Sequence, residues 1–177
     1  MAQAYNISDA MISYSRRDKA FAERLDKSLR EGGREIWVDW EDIAPTVDWW
    51  AEIQAGIEAA HTFVFVMSPN SVRSELCRKE IDHAVTNGKW VIPVLYQDIV
   101  EDADKSLIHP VLNQHNWIYM RDTDDYQEGF KRLASALETD VVHAQAHTRL
   151  LVRRGSGKKM AAGQAVCCDL VGRPAYV

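Results

Sequence analysis

Along this chain short apolar runs alternate with amphipathic stretches. Residues 9–13 (DAMIS) read as a buried strand. Residues 19–30 predict a helix, with Phe21, Leu25 and Leu29 at i, i+4 and i+8 and Gly32-Gly33 to end it. Residues 35–40 (EIWVDW) read as a strand, and 47–60 as a helix with Trp50, Ile53 and Ile57 inward. The most apolar strand, 62–67 (TFVFVM), is therefore expected to be central. Ser68-Pro69-Asn70 stops it, and a helix from about Ser74 to Asn87 follows, closed by Gly88. Residues 90–96 (WVIPVLY) form a fourth strand, in which Pro93 implies an edge-like position or a bulge. Residues 116–120 give a fifth strand. A last helix covers 124–138, with Tyr126, Phe130, Leu133 and Leu137 on one face. Repeated strand–helix units mean a parallel sheet with helices on both faces, joined by right-handed crossovers. Five such strands commonly take the flavodoxin-like order 2-1-3-4-5. In that order the ligand crevice lies at the carboxyl ends of strands 1 and 3, where the winding reverses.

The helix after strand 3 carries an oddity. At about 100° per residue, Cys77, Ile81, Ala84 and Val85 form one apolar stripe, and Arg78, Lys79 and Asp82 lie opposite. Glu80 falls at the edge of the stripe, one turn after Leu76 and one before Ala84. A carboxylate there is either a boundary charge reaching for water or a group held in a cleft for a purpose. The topology sets it near the mouth of the crevice, which favours neither reading decisively.

Bulk numbers narrow the classes. The chain has 177 residues, 46% hydrophobic and 27% charged, enough for one domain with a substantial core. Its net charge of −5 is uneven. From Arg149 onward six Lys/Arg face only Asp169, a net of +5, so the first 148 residues carry −10. An acidic body does not suggest nucleic-acid binding. Cys77, Cys167 and Cys168 are no disulfide framework, which suits a reducing compartment. The first residues lack the basic and apolar regions of a signal peptide, and the longest strongly apolar run, FVFVM, is too short to span a bilayer. The expectation is a cytoplasmic protein without a membrane segment.

Several chemistries of this architecture lack their residues. A phosphate-accepting receiver needs Asp at the end of strand 3, where this chain has Met67-Ser68. SYSRRDK after strand 1 has no glycine for a dinucleotide fingerprint. Gly155-Ser156-Gly157-Lys158 imitates the end of a phosphate loop, but Val152 and Lys159 replace its first glycine and its Ser/Thr. His143 and His147 lack the Glu of a zinc-binding HExxH, so no metal site is expected. Cys77 has no identifiable histidine base and reads as a packed core thiol.

Three segments together resemble the TIR (Toll/interleukin receptor) domain family. DAMISYSRRDKAFAERL looks like its first box, WVDWEDIAPTVDWWAEI like its second strand and following loop, and MSPNSVRSELCRKEI like the S-P-x-S-x-x-S-x-x-C-x-x-E segment of its enzymatic members. The resemblance covers about residues 8–138, and the third box is most similar to bacterial members. It implies a flavodoxin-like TIR domain over residues 1–140, followed by an extension over 141–177. It also implies one of two roles. Many bacterial and plant members and one animal neuronal member split NAD+ between nicotinamide and ribose, depending on a glutamate at the position of Glu80. Animal receptor adaptors lack it and only assemble signalling complexes. This chain keeps it.

The expectation from that resemblance is an NAD+ hydrolase of bacterial immune or stress signalling. Its alternative is a non-enzymatic scaffold built by TIR–TIR contacts. NAD+ is then the substrate and no cofactor is required. Nicotinamide leaves as a neutral base, so no general acid is needed, and the oxocarbenium-like ribosyl cation is met by the carboxylate. Ser13, Tyr14, Ser15 and Arg16 follow strand 1 across the switch point. Arg16 suits a phosphate and Tyr14 a ring, against the plainer reading of a solvated helix start. Asp39, Trp40 and Ile43 belong to the loop after strand 2, which in the family lines the cleft and touches neighbouring molecules. Leu76 and Cys77 complete the expected substrate-binding set. Leu76 is a departure, since many NAD+-cleaving members carry tryptophan there. Trp49 and Trp50 read as core or interface anchors. HTRLLVR (147–153) resembles a segment that follows TIR domains in some bacterial multidomain proteins with repeat modules, and the resemblance implies C-terminal sensor or repeat modules as partners in a longer protein. After Arg154 the apolar periodicity stops, and the remainder reads as a truncated or altered continuation without order.

Overall fold

The computed structural model describes residues 8–39 and 49–139. The chain divides into two units after Ala144, and the extension from 141 onward, with its expected disorder, lies outside the described residues. So do Trp40, Ile43 and the rest of the loop after the second strand.

The strands are β1 (Ser8–Ser13), β2 (Ile36–Val38), β3 (Ala60–Met67), β4 (Trp90–Leu95) and β5 (Ile118–Tyr119). They form one parallel sheet in the order β2-β1-β3-β4-β5. The helices are α1 (Lys19–Glu31), α2 (Trp49–Ala59), α3 (Pro69–Val72), α4 (Glu75–Thr86), α5 (Asp102–Lys105) and α6 over residues 126–139. Period-two alternation sorts the sheet residues onto two faces. Ala10, Ile12, Val64, Val66, Ile92 and Val94 meet Leu25 and Leu29 of α1 and Leu133 and Leu137 of α6. Met11, Phe63, Phe65, Met67, Val91 and Leu95 meet Ile53 and Ile57 of α2 and Cys77, Ile81 and Ala84 of α4. β3 is buried on both faces, as its unbroken apolar run requires.

Pro93 behaves as an edge residue without standing in an edge strand. The pairing of β3 with β4 runs unbroken through Phe65 and Pro93, so there is no bulge. β5, however, pairs only with Val94 and Leu95. The Leu95 carbonyl accepts from the Met120 N–H at 2.9 Å, and alternate residues of a strand turn their backbone groups the same way. The missing N–H of Pro93 therefore faces β5, which cannot be zippered past it. The fifth strand is two residues long instead of the five in 116–120. Below it a cleft of about 430 Å³ opens, lined by Trp90, Pro93, Trp117 and Arg132 among others.

One further boundary differs from the pattern: the strand expected over 35–40 pairs only over Ile36–Val38, while positions 47 and 48 of the helix expected from 47 lie outside the described residues. Val85 was expected in the apolar stripe of α4 and is 42% exposed. At about 100° per residue, Glu80 lies some 60° to one side of Cys77 and Val85 some 80° to the other. The helix is rolled toward the glutamate, which is buried in place of the valine.

Gly56 of α2 is where a helix crosses β2 too closely for a side chain. A Cβ there would meet the Trp37 indole at 2.6 Å. Gly56→Ala should destabilise the domain by about 1–3 kcal/mol although alanine is the better helix former by about 1 kcal/mol. The readout is a lowered urea midpoint with an unchanged slope. A midpoint equal to or above that of the wild type would mean that Trp37 yields without cost.

Candidate active site

Two loops meet at the switch point, one leaving β1 and one leaving β3. Ser13 is the last residue of β1, two positions beyond Met11, so alternation turns it to the face covered by α4. The segment SPNSVRSELCRKE then sets Glu80 opposite it. Ser68 caps the single turn of α3: its hydroxyl accepts the Ser71 N–H at 3.0 Å, and the Ser71 hydroxyl accepts the Ser68 N–H at 2.9 Å. Pro69 occupies the first helical position, where no N–H is needed. Ser74 caps α4 by accepting the Cys77 N–H at 3.3 Å. Glu80 comes six residues after that cap, in the helix interior on its buried side.

The Ser13 hydroxyl donates to Glu80 Oε2 at 2.5 Å, and both side chains are buried, Glu80 at 4% exposure. Burial pushes the Glu80 carboxyl up to about 7. The Ser13 hydrogen bond opposes that rise, the Asp39 carboxylate adds to it, and the Arg16 guanidinium opposes it. Asp39 follows β2 with its side chain mostly covered, and Arg16 approaches it at 3.8 Å from the solvent side. The Tyr14 hydroxyl donates to the Asp39 carbonyl at 3.0 Å while its ring sits in the core facing α1. Ser13, Asp39, Arg16 and Glu80 thus form one polar group at the carboxyl ends of β1 and β2. Ser15 starts the 3-10 turn Arg16–Asp18 with its carbonyl, which accepts the Asp18 N–H at 2.7 Å.

Leu76 is half-buried against the α2/α4 core, and Cys77 lies wholly within it. Burial, and after it the charge of Glu80, pushes the Cys77 thiol up to about 12. That thiol stays protonated and is no nucleophile.

One polar cluster beside the site is not legible in the sequence. Asp18, buried at the start of α1, accepts the Ser68 hydroxyl at 2.5 Å and the Asn70 amide N–H at 3.0 Å. It bolts the loop after β1 to the loop after β3. The only sequence signal was its place in SYSRRDK, which reads equally as an ordinary charged helix start. Arg73 likewise grips the buried Asp104 with two nitrogens, at 2.6 and 2.7 Å, and this pairing holds its guanidinium pKa further above the usual range. Among the described residues no group of three metal-ligating side chains converges, and no helix is long and apolar enough to cross a membrane.

The Glu80 carboxyl binds its proton more tightly folded than unfolded, since its pKa rises from 4.5 to about 7 on folding. The folded state is therefore favoured at acidic pH, and stability falls as pH rises from about 4.5 to about 7, then levels off. Glu80→Gln removes this slope. At pH 8 the variant should melt higher than the wild type, by up to about 3 kcal/mol less what its unpartnered amide nitrogen costs. That margin should shrink steadily toward pH 5. Thermal unfolding across pH 5–8 checks it, and parallel curves for the two proteins would refute the burial argument.

Residues 11–134 match the family model described as TIR domain. No curated protein matches the chain. The structure superposes on the TIR domain of the Toll-related receptor TRR-2 from Hydra magnipapillata with a TM-score of 0.60 and 23% identity, over 74% of this chain and 98% of that one. For the TIR domains of the activated Roq1 resistosome, which directly recognises the pathogen effector XopQ, the TM-score is 0.58 at 17% identity, over 73% and 99% of the two chains. For the RPS4 and RRS1 TIR domain heterodimer it is 0.56 at 20% identity, over 74% and 96%. At these identities the likeness is one of fold, and the match across most of the chain gives the family: this protein belongs to the TIR domain family.

Proposed function

We propose that this chain hydrolyses NAD+ at the bond between nicotinamide and ribose, as part of bacterial immune or stress signalling, with Glu80 as the catalytic carboxylate. The observation that carries this reading is the burial of Glu80 beside the carboxyl end of β1, with one oxygen held by Ser13. A solvated boundary charge needs neither feature. The C–N bond breaks with its electron pair going to the pyridinium nitrogen, so nicotinamide leaves uncharged without an acid. The ribosyl cation left behind is stabilised by the ionised carboxylate, more strongly where water is excluded. Water adds to the cation and loses a proton, giving ADP-ribose; attack by a nucleophile of the same ADP-ribose gives a cyclic isomer instead. We assign the pyrophosphate to Arg16, whose guanidinium is more than half exposed.

A second reading, a scaffold of TIR–TIR contacts without chemistry, is favoured by Leu76 at the position where many NAD+-cleaving members carry tryptophan. Both readings share an assembly surface. Trp49 is 47% exposed at the start of α2 and stands edge-on to Trp50, and exposed aromatics of this kind suit protein–protein contact. Related TIR domains occur in a resistosome and in a heterodimer. We read this domain as one that gains activity on homotypic assembly.

Glu80→Ala and Glu80→Gln should lower nicotinamide release by about 100-fold or more in a protein that remains folded. Wild-type activity should climb about tenfold per pH unit on the acid side of a midpoint near 7 as the carboxyl ionises. An unchanged rate in either variant refutes the assignment.

Assembly makes a separate prediction. Activity per molecule should rise over a hundredfold range of protein concentration, and Trp49→Ala should weaken that rise. A flat profile from a protein that stays monomeric throughout would refute it.

A further inference from the structure

We propose that Ser13 is a positioning residue for Glu80: its hydroxyl holds carboxylate oxygen Oε2, so that Oε1 is the oxygen presented to the ribosyl group. The proposal rests on the reading of Glu80 as the catalytic carboxylate, and it moves Ser13 from the substrate-contacting set to which resemblance assigned it. The geometry points this way. Ser13 ends β1 in register with Phe65 of β3, so its backbone is fixed by the sheet on one side of the crevice. Glu80 is fixed on the other side by the interior of a capped helix. The hydroxyl spans the gap at 2.5 Å with both groups buried. Ser13 donates the only hydrogen bond to Glu80 among the described residues, and Oε1 accepts none there.

A glutamate has three rotatable bonds, and a carboxylate that must sit beneath a sugar ring is of use in few of their combinations. One short anchor from a strand end removes most of that freedom. With its one proton held by Oε2, Ser13 reaches the nucleotide as a donor only through the glutamate. A donor to the carboxylate also favours its ionised form. Other groups act on the same carboxyl: Asp39 beyond β2 works against ionisation and Arg16 of the 3-10 turn favours it. The Cys77 thiol on the same helix stays neutral, with Asp18 close enough to bear on it.

The test combines an activity profile with a direct titration. Ser13→Ala keeps the fold side of the crevice but loses the donor, Ser13→Thr restores a hydroxyl, and Ser13→Cys keeps the volume with a weaker donor should Ser13→Ala fail to fold. Nicotinamide release from NAD+ is followed from pH 5.5 to 9. The Glu80 carboxyl is titrated by carbon-13 NMR on glutamate-labelled protein, its signal identified by loss in Glu80→Gln. In Ser13→Ala the midpoint of both curves should move up by about one pH unit, with Ser13→Thr returning toward the wild type and Ser13→Cys falling between. At pH 7 kcat should drop about tenfold and KM less than threefold. A Ser13→Ala protein whose midpoints match the wild type, or whose loss lies in KM alone, overturns the proposal and returns Ser13 to substrate contact. A wild-type protein that releases no nicotinamide at any concentration removes the parent reading, and the proposal with it, whatever the NMR titration shows.

Discussion

The switch point of this sheet keeps a carboxyl group out of water at the edge of an otherwise apolar helix face. Burying an ionisable group without an opposite charge in contact is costly, and Glu80 bears that cost as a carboxyl pushed up to about 7. The rest of the crevice is arranged around this requirement. α4 is rolled so that the glutamate lies beneath it and Val85 is turned out to solvent. An arrangement optimised for apolar burial alone would have reversed the two. The hydroxyl of Ser13 supplies the local compensation, and Arg16 with Asp39 sets the charge balance at the mouth.

A switch point also needs mechanical support. The chain leaves β1 toward one face of the sheet and leaves β3 toward the other, so the two loops diverge and nothing in the sheet itself binds them. Asp18 closes that gap by taking Ser68 and Asn70 from the far loop. Ser68 does double service, since its hydroxyl gives its proton to Asp18 and its lone pair to the Ser71 N–H. Arg73, just before α4, is clamped in turn to Asp104 of α5. α4 therefore starts from a segment fixed on two sides. Polar groups in these positions fix the relative geometry of two loops that the sheet itself does not join.

The sheet order and the helices that cover it were legible in the sequence because each rests on a local period. Phe21, Leu25 and Leu29 declare one face of a helix, and TFVFVM declares a strand with no wet side. Glu80 was visible as a misfit at the stripe edge, but the direction in which the helix rolls is a tertiary property, set by Met11, Ile53 and Met67 from other elements. Asp18 was invisible as a brace because its partners lie 50 and 52 positions away. Pro93 reads in the sequence as an edge-like position or a bulge, but β4 is neither an edge strand nor bulged; the consequence falls on the neighbour, since β5 is cut short while β4 keeps its register with β3. Nothing in the run NWIYM tells a five-residue strand from a two-residue one, since the limit is imposed across the sheet.

Family membership and chemistry rest on different residues here. The match over 11–134 and the superpositions at 17–23% identity follow from the sheet, the crossovers and the apolar positions that any member needs. They would hold equally if residue 80 were alanine. A fold shared at that distance says where a site lies and leaves open what it does. The burden of the functional argument therefore falls on features that the fold does not require. A buried carboxylate beside a second one at Asp39, at the edge of an otherwise apolar helix, lowers stability at neutral pH, and a pure assembly module gains nothing from it. Leu76 bears against this reading only through ring stacking, and in the structure it packs half-buried against the α2/α4 core. The proposed chemistry asks for a carboxylate beneath the ribose, and what the structure supplies toward it is a buried Glu80 with one oxygen held by Ser13.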